Sequence, residues 1–238
     1  MKKIFYGAFC LLVFAFFSCS ARINGSVSQG GAAELQLKTV LEPRTSAIIR
    51  SIQSFLGGPA GDKPVLDGAA MSRSMAAAPG IRTVSLINTG PSALEGTINV
   101  TNIGDFLHLK GEENRFISFT EDSAPGSSSI VLTLNRETAP FIISRISPEA
   151  EEYLSALMAP VVLGEDCTRK EYLDLLSMVY GQAMADEVAA ARIHASIEFP
   201  RPVTAVRGGT ASGKLAEFEV PLLDVLVLEN PLNYEIRW

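Results

Sequence analysis

The sequence predicts an α+β protein, an antiparallel sheet of hairpins and meander with segregated helices. Three observations predict it. Residues 22–41, 81–135 and 193–238 alternate apolar and polar positions between clusters of Gly, Pro, Asn and Ser, the pattern of half-buried strands. Residues 137–190 carry helix-start signals and apolar positions at helical spacing. The strand-like and helix-like stretches occupy separate parts of the chain, and no internal repeat joins them.

The first pair of strands is expected around Gly30-Gly31, with Leu35, Leu37 and Thr39 on one phase of the second. Pro43 opens a helix, where its fixed φ and missing N–H cost nothing. Ile48, Ile52, Phe55 and Leu56 form its apolar face, and Gly57-Gly58 ends it. Residues 57–80 are rich in Gly, Ala, Pro and Ser and form the best linker candidate, a mobile segment in which Asp67 caps a weak helix through Met71 and Met75. The strands IRTVSLIN and GTINVTN flank a turn at Gly90-Pro91, and RFISFT and SSIVLTLN flank EDSAPGS, which together read as one meander. Phe116 and Phe119, three apart, cannot share a face of a regular strand without a bulge.

In the helical stretch, Ser147-Pro148-Glu149 combines a cap, a first-turn proline and an acid that the helix dipole favours. Thr168 and Glu171 have capping-box spacing, and Tyr172, Leu176 and Val179 then line one face. Gly181 weakens this helix, which is expected to continue to about Ala190. The tail returns to strands. Ile193, Ala195, Ile197 and Phe199 alternate, Gly208-Gly209 and Gly213 mark turns, and PLNYEIRW closes the series with Tyr234, Ile236 and the single tryptophan, Trp238, on one phase.

The N-terminal residues say where the protein acts. Lys2 and Lys3 precede an apolar run of 14 residues, Ile4–Phe17, and then Ser18 and Cys19. A membrane-spanning helix needs about 20 residues, so the run suits an export signal better than an anchor. Phe16-Phe17-Ser18-Cys19 resembles a relaxed lipobox of bacterial lipoproteins, with Phe16 where that family favours Leu. The resemblance implies cleavage after residue 18 and acylation of Cys19 with diacylglycerol and fatty acids such as palmitate. The competing reading is an ordinary secretory signal cut near Ser18 or Ala21. The expected organisation is a signal peptide over 1–18 and one extracytoplasmic domain over 19–238, membrane-anchored on the periplasmic face or cell surface.

Loss of residues 1–18 removes Lys2 and Lys3 and no acid, so the net charge moves from −6 to −8. An acidic domain of this kind argues against nucleic acid or anionic lipid as a partner, since both need basic patches. Three cysteines are present, and Cys10 leaves with the signal. If Cys19 is acylated, Cys167 has no partner for an internal bridge. If it is not, a Cys19–Cys167 disulfide becomes available.

Motifs for chemistry are weak. GGTASGKL at 208–215 has glycine and lysine spacing like a phosphate-binding loop. However, Leu215 stands where a magnesium-binding hydroxyl belongs, and the flanks read strand–turn–strand. No nucleotide is expected. His108 and His194 are isolated, so neither a metal site nor any cofactor is expected. Cys167 lies before a helix start, which lowers a thiol pKa, but Glu165 and Asp166 oppose that effect. The pairs Glu112-Glu113, Glu151-Glu152 and Asp186-Glu187 read as solvated charge. No catalytic residue is assigned, and the chain is not expected to be an enzyme.

The stretch ARIHASIEFPRPVTAVRGGTASGK resembles LppM-like lipoproteins through Phe199-Pro200, Val203, Gly208-Gly209 and Gly213. The resemblance covers about fifty residues and transfers no active-site residue. The function expected is a lipid-anchored, non-catalytic binding or assembly module of the cell envelope, with a possible envelope protein partner. The alternatives are a lipid or small-ligand carrier, and a thiol- or carboxylate-dependent envelope enzyme.

Overall fold

The computed structural model describes residues 20–55, 64–76, 80–103, 117–120, 122, 128–139 and 158–238. The signal segment and Cys19, the glycines at 57–58, His108, Glu112-Glu113, Phe116, and the expected helix start at Ser147–Glu149 with Glu151-Glu152 lie outside them. Among the described residues are eleven strands in two sheets, and six helices.

The larger sheet has seven strands. β1 (Ser20–Val27) and β2 (Ala33–Val40) form the expected hairpin, with Gly30 and Gly31 at φ 95° and 80° in the turn. β4 (Ala93–Val100) adds to β2, and β3 (Ile81–Gly90) adds to β4. On the other side of β1 lies β7 (Arg192–Glu198), followed by β10 (Leu215–Pro221) and β9 (Thr210–Ser212). The smaller sheet orders β5 (Ile117–Thr120), β6 (Ser129–Leu134), β11 (Leu232–Arg237) and β8 (Ala205–Arg207).

Two features correct the expected topology. Residues 81–135 do not form one meander, because β3–β4 joins the large sheet and β5–β6 the small one. The large sheet is also mixed, since β1 and β7 run parallel, with Ser20 opposite Arg192 and Ser26 opposite Glu198. A parallel neighbour requires a long crossover, and here everything between Val27 and Arg192 supplies it.

One face of the large sheet is apolar and covered. Ala21, Leu37, Leu94, Ile98 and Ala216 are each no more than 2 % exposed. The other face is polar and open, with rungs that read Lys38, Arg22, His194, Glu219 and, one step on, Gln36, Asn24, Ser196, Glu217. Gly96 is required where β3 and β4 cross, because a Cβ there would overlap the backbone carbonyl of Ser85.

The helices follow the sequence with three adjustments. α1 (Pro43–Phe55) begins at Pro43 as expected; among its described side chains Ile49 is fully buried and Ile48 half-buried, whereas the expected Ile52 and Phe55 side chains and Leu56 lie outside the described residues. α2 (Gly68–Ala76) is capped by Asp67, whose Oδ1 accepts from the Ala70 N–H at 2.8 Å, and Met75 is fully buried. α2 also covers the edge of β3, where the Leu86 N–H donates to Ser72 Oγ at 2.8 Å. α3 (Ala159–Val162) is one turn. α4 (Arg169–Tyr180) has the capping box between Thr168 and Glu171 and buries Tyr172 and Leu176. Val179 is 65 % exposed, because Gly181, at φ 89°, ends the helix and redirects the chain. α5 (Gln182–Ala190) then buries Met184, Ala185 and Val188. The short apolar segment after Pro221 is a helix, α6 (Leu222–Val227), with five of its six residues buried.

Thr39 makes the core imperfect. It faces inward from β2 with no exposure, and its Oγ1 has no hydrogen-bond partner among the described residues. A buried hydroxyl without a partner carries an uncompensated desolvation cost, and valine has nearly the same shape. Thr39→Val is expected to raise unfolding free energy by about 1 kcal/mol, read from paired denaturant curves. A lower midpoint would show that the hydroxyl is bonded in solution.

Candidate functional site

The two sheets meet through aromatic rings. Phe199 follows β7 and Trp238 follows β11, with ring centroids 4.6 Å apart, and Phe119 of β5 stacks on the indole at 6.3 Å. Phe218 of β10 meets Tyr234 of β11 edge-on at 5.8 Å. Trp238 is 3 % exposed, so the terminal strand pairs into the small sheet and packs this ring on the core. The Trp238 backbone N–H donates to the Ser128 carbonyl at 3.0 Å.

Beside this junction is a cleft of about 310 Å³, at the end of β1 remote from Ser20. One wall is the β1–β2 turn, from Val27 to Gly31. The opposite wall is Asp122, Ser128, Pro200 and Arg201, and Phe119 and Trp238 complete the lining. The turn is closed by Ser28, whose N–H and Oγ both donate to the Ala32 carbonyl, at 2.7 and 3.0 Å. Ser128, 1 % exposed, organises the other wall. Its Oγ donates to the Asp122 carbonyl at 3.0 Å and accepts from the Asp122 N–H at 3.2 Å. Arg201 Nη2 donates to the same carbonyl at 2.8 Å and to Ser128 Oγ at 3.0 Å.

The volume is at the lower end of small-ligand sites, and the mixture of aromatic floor, backbone polar groups and one guanidinium is of the kind that fixes a ligand's orientation. Pro200 and Pro202 flank Arg201 and restrict its backbone, so the side chain leaves a stiff segment. Sequence reasoning named Gly30-Gly31, Phe119, Pro200 and Trp238 for structural reasons and missed Gln29, Asp122, Ser128 and Arg201. The Pro-Arg-Pro run directly after a strand was the one local signal available for Arg201.

The other sequence candidates lie apart from the cleft. Cys167 is buried, and its Sγ lies 3.5 Å from the Thr168 carbonyl. Burial pushes the thiol pKa up, the Glu171 carboxylate adds to this, and Arg136 partly offsets it. His194 is on the open sheet face, with Nδ1 3.5 Å from Glu219 Oε2. GGTASGKL forms the β8–β9 and β9–β10 turns, and β10, not a helix, follows Lys214. Asp186 and Glu187 sit on α5, where Asp186 accepts from Gln182 Nε2 at 2.8 Å. Among the described residues, no three His, Cys, Asp or Glu side chains are grouped as metal ligands, and no helix is long and apolar enough to cross a membrane.

No protein-family model matches the chain, and no curated relative is found. Among solved structures, the chain is similar to the folded domain of the LppM protein of Mycobacterium tuberculosis, determined by NMR. The TM-score is 0.42 and the identity 9 %, over 92 % of this chain and 87 % of that chain.

Two outcomes are expected from this geometry. Trp238→Ala removes a buried ring shared by both sheets and should cost about 3–5 kcal/mol, whereas Trp238→Phe should retain much of that stability. Both are read from denaturant melts, and an unchanged midpoint for the alanine variant would refute the packing role. Cys167 should react with iodoacetamide at pH 8 at least about tenfold more slowly in the folded chain than in urea, since the thiolate is the reactive form and its fraction is reduced. Equal rates in the two states would contradict the burial of this thiol.

Proposed function

We propose that this chain is an extracytoplasmic lipoprotein held on a membrane through acylated Cys19, with a domain that acts as a non-catalytic binding module of the cell envelope. The observation that carries the binding role is the cleft between the two sheets. It has a rigid aromatic floor at Trp238 and Phe119 and a guanidinium set by Ser128, and the glycine turn forms its far wall. Those are features of recognition. Among the described residues that line it, no nucleophile is held against a base, the arrangement that covalent catalysis needs. The support for the anchor is the signal architecture and the lipobox-like Phe16–Cys19.

The anchor is tested by Cys19→Ala. The parent protein should enter the detergent phase and carry a diacylglycerol mass increment, and the variant should do neither. A variant that still does both would remove the assignment. The cleft is tested by a photo-crosslinking residue at Gln29, with Arg82, an exposed position outside the cleft, as the control. An adduct should form in intact cells from position 29 and not from position 82, and it should weaken in Arg201→Ala. Equal labelling at both positions would leave the cleft without a ligand-binding role.

A further inference from the structure

We infer that the rim of the large sheet at the Ser20 end rests on the phospholipid headgroup layer, with lipid phosphates as the ligands of its arginines; this rests on the acylation of Cys19 proposed above. The first part of the inference is geometric. Ser20 is already a rung of β1, paired with Val40 and Arg192. Adjacent Cα atoms are 3.8 Å apart, so no spacer separates an acylated Cys19 from the centre of the sheet. The acyl chains begin at the boundary of the hydrocarbon, and each headgroup layer is about 5–8 Å deep. The rung that holds Ser20 therefore has to lie within the headgroups.

The second part is the chemistry of that rim. Val40 and Ile87 are large apolar residues left 38 % and 57 % exposed, and both lie on the first two outward rungs, near the exposed hairpin residue Pro91. Arg22 and Arg44 are exposed beside them and make no ion pair among the described residues. Lys38 and Arg192 complete the basic set, already partnered by Glu95 at 4.0 Å and Glu219 at 3.7 Å. Arg50 reaches the Pro91 carbonyl at 3.4 Å, and Glu42 and Asp67 are further acids of this end, Asp67 standing between Leu66 and Gly68, which both hydrogen-bond Asn88 beside Ile87. Exposed apolar side chains beside uncommitted arginines are the composition of an interfacial surface. The acidic balance of the whole chain does not oppose this, because charge more than a Debye length away, about 8 Å in physiological salt, is screened.

The test uses the full-length acylated protein in phosphatidylglycerol–phosphatidylcholine vesicles that contain a headgroup-region spin-labelled quencher. Single cysteines are placed at Ile87 or Thr83 in a Cys167→Ala background and carry a fluorophore. Both positions face outward from β3, and Thr83 lies farther from the rim than Ile87. Quenching at position 87 is expected to exceed that at position 83 at least twofold, and Arg22→Glu with Arg44→Glu should reduce the difference. Intact mass is measured on the same samples. A diacylglycerol increment with equal quenching at the two positions overturns the docking and leaves the anchor standing. No increment overturns the anchor and the docking together.

Discussion

The parallel pairing of β1 with β7 holds the two halves of the large sheet together. β1 is the fourth of seven strands, with the hairpin strands β2, β4 and β3 on one side and β7, β10 and β9 on the other. Its seven rungs set Ala21 beside Ile193 and Ile23 beside Ala195 on the covered face, a small residue beside a branched one in each case. Gly25 fits the same scheme, since any Cβ there would press on Leu35 and Ile197. β7 leads directly into Phe199 and so into the ring contact with Trp238 that joins the sheets. Ser20 and Arg192 are 172 positions apart in sequence, so this pairing forms only after a large loop closes, which makes it a slow element of folding.

A second set of ties holds the helical layer on the small sheet. Arg136 follows β6 and donates to the carbonyls of Leu228 at 3.1 Å, Glu165 at 3.2 Å and Cys167 at 2.7 Å, and to Asp166 Oδ1 at 2.5 Å. Leu228 sits in the left-handed region at φ 47°, a conformation that costs a non-glycine residue energy. It is held there by its N–H to the Asp224 carbonyl, by Arg136 on its own carbonyl, and by complete burial of its side chain. Arg169, in the first turn of α4, reaches Asp224 of α6 at 2.9 Å. Asp224 is only 14 % exposed on its side chain, so this pair is screened less than a surface pair. One arginine thus satisfies carbonyls that a helix end and a loop would otherwise leave open.

What was legible in the sequence is what short-range rules govern. The Gly30-Gly31 hairpin, the Pro43 start, the Asp67 cap and the Thr168–Glu171 box each depend on residues within four positions of one another, and each is present. The misread features depend on distant partners. The split of 81–135 between two sheets follows from which edge each hairpin finds, and alternation is the same in either sheet. On α1, Ile49 is buried together with the polar residues Thr45 and Ser46, with Ser46 Oγ 2.6 Å from Ser92 Oγ, a tie to a distant loop that helical spacing does not reveal. The cleft was the least legible feature. It gathers residues 27–31, 119, 122, 128, 200–201 and 238, and no spacing rule connects them.

β1 spans the distance between the Ser20 rim and the cleft. Eight residues of strand span about 25 Å, with Ser20 at one end and, at the other, Val27 in the wall of the cleft. Unbroken registers with β2 and β7 on both sides hold this strand along its length. In the proposed orientation the cleft therefore faces away from the bilayer at a height set by strand length. A long flexible tether would let a binding module sample a wide volume at low effective concentration. A domain joined to its lipid through a central strand samples a thin layer, and its ligand is met at that height or not at all. The shape of the cleft bears on the same point: its polar walls are fixed by backbone hydrogen bonds and by buried Ser128, so in the proposed binding role little entropy would be lost in ordering the site.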